Sequence, residues 1–188
     1  MKKHIIVSII SSVYLVFFPM CKKEDTKPEV YWGEASATVN GQLWETKIRG
    51  TKSKITGVIQ DQFIDILIHK FNEKGFLRGN LSIYKIPKKI GLNRIYFTSL
   101  HSESDTTGAS YAGLGDDGDV VLSSYIIDFK DTTSFIRVTS YDPKTDVIEG
   151  DFQLNFIKDT TILKIEPLIV DTLRFTNGRF KTKILVKR

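Results

Sequence analysis

The chain has a single cysteine, three histidines, and no apolar run long enough to cross a bilayer in its 188 residues. One Cys excludes a disulfide within the chain. His4, His69 and His101 lie far apart without any zinc-type Cys/His spacing, so a metal site built on them would need carboxylates distant in sequence. Each is read as a structural or surface residue. There is no G-x-S-x-G elbow, no phosphate-cradling glycine loop and no dinucleotide fingerprint. No catalytic residue is therefore singled out and no cofactor is expected. Lys+Arg number 27 against 22 Asp+Glu, and Lys2 and Lys3 in an acid-free amino-terminal segment supply part of that excess. A positive charge this small and scattered gives no reason to expect a nucleic-acid partner. No convincing amphipathic helix is found either.

What is present begins at the amino terminus, "MKKHIIVSIISSVYLVFFPMC". Lys2 and Lys3 form a positive end, and Ile5 to Phe18 form an apolar stretch broken by serines. That stretch is shorter than the ~20 residues a membrane-spanning helix needs, and it reads as a signal peptide over 1–20. A retained membrane anchor is the alternative. The segment resembles a bacterial lipobox, in which a Cys receives a diacylglycerol on its sulfur before the preceding peptide bond is cut. Only a thiolate is nucleophilic enough for that alkylation, which explains a lone Cys at this place. Phe18, Pro19 and Met20 stand where the usual pattern has Leu and small residues. Cys21 is the expected lipidation site, and a soluble secreted protein with an incidental Cys21 is the alternative. Residues 21–33 then form a lipidated, charged tether. Within it Lys23, Glu24 and Asp25 resemble the Lys-then-two-acids export signal of surface lipoproteins from the Bacteroidota, although any solvated linker would also carry charge. The expected address is the bacterial outer membrane, facing the cell surface, with the periplasmic face as the alternative.

From residue 34 to 188 the chain reads as strands and turns. Asn40-Gly41 between "EASATV" and "QLWETKI" is the sequence of a type I′ hairpin, whose two central residues need positive φ. "FIDILIHKF" and "FLRGNLSIYKI" flank a second turn, "NEKG". In "VIEGDFQLNFI" Ile148, Gly150, Phe152, Leu154 and Phe156 share one face, while Glu149, Asp151, Gln153 and Asn155 share the other. Such alternation identifies a half-buried antiparallel strand. The last strand repeats it, with Phe180, Ile184 and Val186 inward and Lys181, Lys183 and Lys187 outward, where lysines would guard a sheet edge if the strand lay at one. "RIYFTSL", "ASYAGL", "VVLSSYIIDF", "SFIRVTSYD" and "LIVDTLRF" are further strands. The sum is a single all-β domain of roughly ten to twelve antiparallel strands, a β-sandwich or a flattened β-barrel.

Candidate chemistry is sparse. Asp116, Asp117 and Asp119 around Gly118 offer the hard oxygen ligands that calcium takes, without the order or closing Glu of an EF-hand. The same residues suit a Gly/Asp turn for backbone reasons, and that is the preferred reading. "KIPKKIGLNR", with Lys85, Lys88, Lys89 and Arg94, reads as a solvated basic loop before an anion site. Tyr84, Tyr96, Tyr111, Tyr125 and Tyr141 fall in expected strands, as core residues or as the lining of a cavity.

"ASATVNGQLWET", "IEGDFQLNF" and "LRFTNGRFKTKI" together resemble a family of uncharacterised Bacteroidota cell-envelope lipoproteins. Its members share an early Asn-Gly and Trp, a late Gly-x-Phe strand and a closing Thr-Asn-Gly-x-Phe hairpin. The resemblance implies an anchored all-β domain and carries no catalytic residues. Its marks are structural: Gly41 and Gly178 for turns, Gly150 for a bulge or close strand approach, Trp44 and Phe152 for the core. The functional expectation is a lipid-anchored, non-enzymatic binding or interaction module with a protein or glycan partner. A lipocalin-like carrier of a small apolar or glycan ligand is the alternative. A paired-carboxylate hydrolase is the third reading, with no pair singled out.

Overall fold

A computed structural model gives the fold and describes residues 31–55, 58–96, 98, 106–161 and 170–185. The signal segment with His4, the lipidation residue Cys21, the export residues Lys23, Glu24 and Asp25, and also His101, Val186 and Lys187, lie outside the described residues.

Turn chemistry sets the first hairpin. Asn40 and Gly41 take φ values of 47° and 87° between β1 (Gly33–Val39) and β2 (Gln42–Ile55), the two positive angles a type I′ turn requires. Asn40 also holds the tip against the last strand. Its side chain accepts the Arg174 N–H at 2.9 Å and donates to the Thr172 carbonyl at 3.0 Å. Next come β3 (Val58–Phe71) and β4 (Leu77–Pro87), joined where the Asn72 side chain accepts from the backbone N–H groups of Lys74 and Phe76. The remaining strands are β5 (Gly91–Arg94), β6 (Gly108–Leu114), β7 (Val121–Ile127), β8 (Phe135–Asp142), β9 (Val147–Lys158) and β10 (Thr172–Leu185). No helix occurs among the described residues.

Among the described residues, all ten strands join in one sheet that closes on itself. The ring runs β2, β3, β4, β6, β7, β9, β10, β1 and back to β2. β8 pairs with the first half of β9 and carries β5 on its far side, so these two strands branch from the ring. Pairing is antiparallel throughout, except where Ile184 and Leu185 run parallel to Gly50 and Thr51 beyond the end of β1. β10 thus lies between β9 and β1, not at an edge, and of its outward lysines Lys181 pairs with a neighbouring strand, its Nζ 2.7 Å from Glu149 Oε1.

The interior is filled from the apolar faces that the alternation marks. Ile148, Phe152, Leu154 and Phe156 of β9 are buried, each contributing ~1.5–3 kcal/mol. Aromatic rings from opposite sides of the ring converge on Phe175. Trp44 lies 5.0 Å from it, Tyr111 5.6 Å and Phe156 5.7 Å between ring centroids, with Tyr125 5.9 Å from Tyr111. Edge-to-face rings at such distances are packed side chains, not a cavity lining.

Four local expectations change. Thr176-Asn177-Gly178 forms no closing hairpin; β10 runs through it with a bulge, Asn177 taking φ 52° where register shifts against both β9 and β1. The Phe152 ring and carbonyl press on Gly178, so the glycine serves close packing instead of a turn. Of "RIYFTSL", Arg94 ends β5, which begins inside the segment read as a basic loop, Ile95, Tyr96 and Thr98 are not in a strand, and Phe97, Ser99 and Leu100 lie outside the described residues. Lys85 is not solvated either. It is 3% exposed within β4, at a bulge opposite Asp65, with φ 54°. Asn155, expected to face water, is buried because Thr133 and Ser134 fold over it. Its side-chain amide donates to Thr133 Oγ1 and its backbone N–H to Ser134 Oγ, both at 2.9 Å.

Candidate functional site

Successive residues of a strand point to opposite faces, so a row of inward side chains leaves only backbone on the outer face. Five neighbouring strands, β2, β1, β10, β9 and β8, set up such a row. Thr46 pairs with Ala35, Ala35 with Phe180, Phe180 with Gly150 and Gly150 with Val138. Ala35, Phe180 and Val138 are buried, directed into the barrel. Their backbone floors a groove of about 770 Å³ that crosses the strands on the outside.

The flanking rows supply its walls: Glu45, Ser36, Arg179 and Asp151 line it on one side and Glu34, Lys181 and Glu149 on the other, while Arg137 and Lys47 continue the rows beyond the groove. On one side Glu45, Ser36, Arg179, Asp151 and Arg137 stand opposite one another in register. On the other, Lys47, Glu34, Lys181 and Glu149 do the same. Charges alternate in sign along both rows, the arrangement that stabilises cross-strand pairs and avoids like charges face to face. Arg137 Nη1 lies 3.7 Å from Asp151 Oδ2. The hydrogen bond and charge of Glu149, with help from Glu34, hold the Lys181 ammonium above its ordinary pKa. Where β8 reaches the groove, register shifts between Val138 and Ser140, leaving Thr139 as the extra residue at the groove's end.

The residues singled out by sequence lie elsewhere and do not converge. Asp117 Oδ1 accepts the Asp119 N–H at 3.2 Å, Gly118 takes φ 78°, and Asp116 Oδ1 lies 2.5 Å from Arg78 Nη1. The segment is the turn between β6 and β7. Among the described residues no group of three or more His, Cys, Asp or Glu side chains is gathered as a metal site would need. Lys85, Lys88, Lys89 and Arg94 are spread from a buried strand to an exposed edge, with Arg94 Nη1 donating to the Thr132 carbonyl. The tyrosines are dispersed. Tyr111 and Tyr125 are in the interior, the Tyr84 hydroxyl meets Ser110 Oγ at 2.9 Å, Tyr141 donates to Asp146, and Tyr96 is exposed. His69 is buried on β3, its Nδ1 2.6 Å from the Tyr31 hydroxyl.

Among the described residues, Asp65 is a half-buried carboxylate that burial pushes above its ordinary pKa, against lowering by hydrogen bonds from the Lys85 N–H and Ser53 and by the Lys85 charge. It holds the β4 bulge, accepting from Lys85 N–H at 3.0 Å while the Lys85 carbonyl accepts from Thr107 Oγ1. This carboxylate is engaged in holding backbone.

Ser36, Glu45, Arg179 and Asp151 escaped the sequence reading because only strand register brings them together, from four separate stretches of chain. The alternating charges of β9 and β10 were the available signal. No family model, no curated protein and no solved structure matches this chain.

Proposed function

We propose that this is a lipid-anchored cell-envelope protein whose barrel is a non-enzymatic binding module, with the outer groove as its binding surface. The observation that carries the binding reading is the groove itself, an open trough across five strands with a backbone floor and two ranks of exposed charged side chains. It presents hydrogen-bonding groups of both kinds to a ligand. The carrier reading is less well supported, because the tyrosines it would use, Tyr111 and Tyr125, are packed into the aromatic cluster around Phe175.

The anchoring part rests on the sequence of the amino terminus and its resemblance to Bacteroidota lipoproteins. A diacylated or triacylated Cys21 would attach the protein durably, at ~0.8 kcal/mol per buried methylene. Lys23, Glu24 and Asp25 would then direct it to the cell surface. Metabolic labelling with a radioactive fatty acid tests this. Wild-type protein should carry label and sediment with membranes, and Cys21→Ala should lose both. Label retained in Cys21→Ala would refute the anchor.

A further inference from the structure

We infer that β5 and the turn before it form a second surface, which rests on the anionic phospholipid of the membrane that anchors the protein; this depends on the anchor at Cys21. The chain carries the first half of the argument. No acid occurs between Glu73 and Glu103, while Lys74, Arg78, Lys85, Lys88, Lys89 and Arg94 all fall there. The fold buries Lys85, pairs Arg78 with Asp116 and sets Lys88 within the field of Asp61. Lys89 and Arg94 are left as exposed cations, in no ion pair among the described residues, although Arg94 spends one N–H on the Thr132 carbonyl.

Apolar side chains are interleaved with these cations. Ile90 is 70% exposed, and Leu92 and Tyr96 are each 47% exposed. Leu92 stands opposite Arg137 and Arg94 opposite Phe135, and the Ile95 N–H continues the pairing to the Ser134 carbonyl at 3.1 Å. Alternation puts Leu92, Arg94 and Tyr96 on the outer face, with Ile95 buried on the other. Aliphatic side chains, a ring with a hydroxyl and long cations are the set that seats where headgroups meet acyl chains, the basic residues drawn to lipid phosphate. Size decides between lipid and protein. Three exposed apolar side chains fall short of the ~800 Å² per partner of a stable protein complex. Contact with the anchoring membrane needs no such area, because the anchor makes it an intramolecular event. β5 pairs with β8, at which the groove ends, so seating β5 sets that end of the groove nearest the lipid.

The test places the lipidated protein in vesicles of phosphatidylcholine alone, or of phosphatidylcholine and phosphatidylglycerol in equal amounts, and reads lysine acetylation by peptide mass spectrometry. On the anionic vesicles Lys89 should acetylate about fivefold more slowly than on the neutral ones, from the attraction of a basic residue to an anionic surface. Lys74, at the other end of β4, should keep its rate. Leu92→Asp, which sets an acid among the cations, should abolish the slowing with an unchanged melting midpoint, since the side chain faces outward. Equal rates for Lys89 on both vesicles, with the protein floating on each, would overturn this inference and leave the anchor standing. Protein that floats with neither vesicle would overturn the anchor and this inference together. Slowing of Lys89 by soluble polyglutamate and not by anionic vesicles would overturn the lipid assignment in favour of an acidic protein. Slowing that survives Leu92→Asp would overturn the assignment to β5.

Discussion

Phe180 lies opposite Gly150 across the β9–β10 ladder, and its ring carbons sit 2.7 Å from where a Cβ on Gly150 would be. The relation is reciprocal. Gly178 lies opposite Phe152, whose ring carbons are 2.6 Å from the corresponding position. Two Gly-x-Phe segments, Gly150-Asp151-Phe152 and Gly178-Arg179-Phe180, therefore pair antiparallel, so that each phenylalanine covers the other strand's glycine. Aromatic cover of a cross-strand glycine pins register, and a one-residue slip would reverse both strands' faces. The intervening Asp151 and Arg179 are thereby placed side by side on the outer face, in the wall of the groove.

Adding a methyl group at either glycine should be costly. Gly150→Ala would also meet the Arg137 carbonyl oxygen, and Gly178→Ala the Phe152 carbonyl oxygen, neither of which yields easily. Each should destabilise by about 1–3 kcal/mol or more, the range for overpacking a filled site, measured by urea unfolding. Gly178→Ala should cost less in a Phe152→Leu background, because the shorter side chain vacates part of the clash. A neutral Gly178→Ala would contradict the packing described.

Tyr111 reports whether the interior is dry. Burial, reinforced by the neighbouring Tyr125, pushes its hydroxyl up to about 12 from the ordinary 10.0. In the sign convention of linkage, its protonated form is the one the fold favours. The stability it confers is complete below pH 10.0 and is lost as pH rises toward 12. An ultraviolet titration of wild type minus Tyr111→Phe should show this residue ionising near pH 12. Ionisation near its ordinary value would mean water reaches the interior and would revive the carrier reading.

Much of this architecture was legible in the chain. Asn40-Gly41 marks its turn because few residue pairs tolerate two positive φ angles, and β9 declares its faces because one is buried and the other wet. Lys85 was misread for a physical reason. Its run of basic neighbours resembles a solvated loop, while the partner that draws its backbone inward, Asp65, lies twenty residues upstream on β3. Gly178 was misread because Asn-Gly inside a bulge looks the same in sequence as Asn-Gly in a hairpin. The groove left one mark in the sequence, the alternating charges of β9 and β10, and was otherwise illegible. Its walls come from strands far apart in the chain, and no local pattern records their register.

Asp65 should tune stability with pH in the direction opposite to most surface carboxylates. Burial is the largest influence on it and raises its folded pKa above 3.8. A raised folded pKa means the native state holds the proton more tightly than the unfolded chain. The associated stability is therefore present at pH below 3.8 and declines as pH rises through the folded value. Asp65→Asn keeps an acceptor for the Lys85 N–H and removes the charge. Its stability relative to wild type, from urea unfolding across acidic pH, should increase as pH rises through that window and level off above it. A relative stability that falls over the same window would mean attraction to Lys85 outweighs burial.

The most direct test of the central claim, that ligand binds outside the barrel on the strands β2, β1, β10, β9 and β8, is carboxyl footprinting of the full-length protein with and without an envelope glycan fraction. Carbodiimide-driven labelling followed by peptide mass spectrometry reads each acid separately. Glu45, Glu34 and Asp151 should become protected when ligand is present, while Asp116, Asp117 and Asp119 on the β6–β7 turn stay reactive. Protection confined to that turn, with the groove acids still labelled, would contradict the claim.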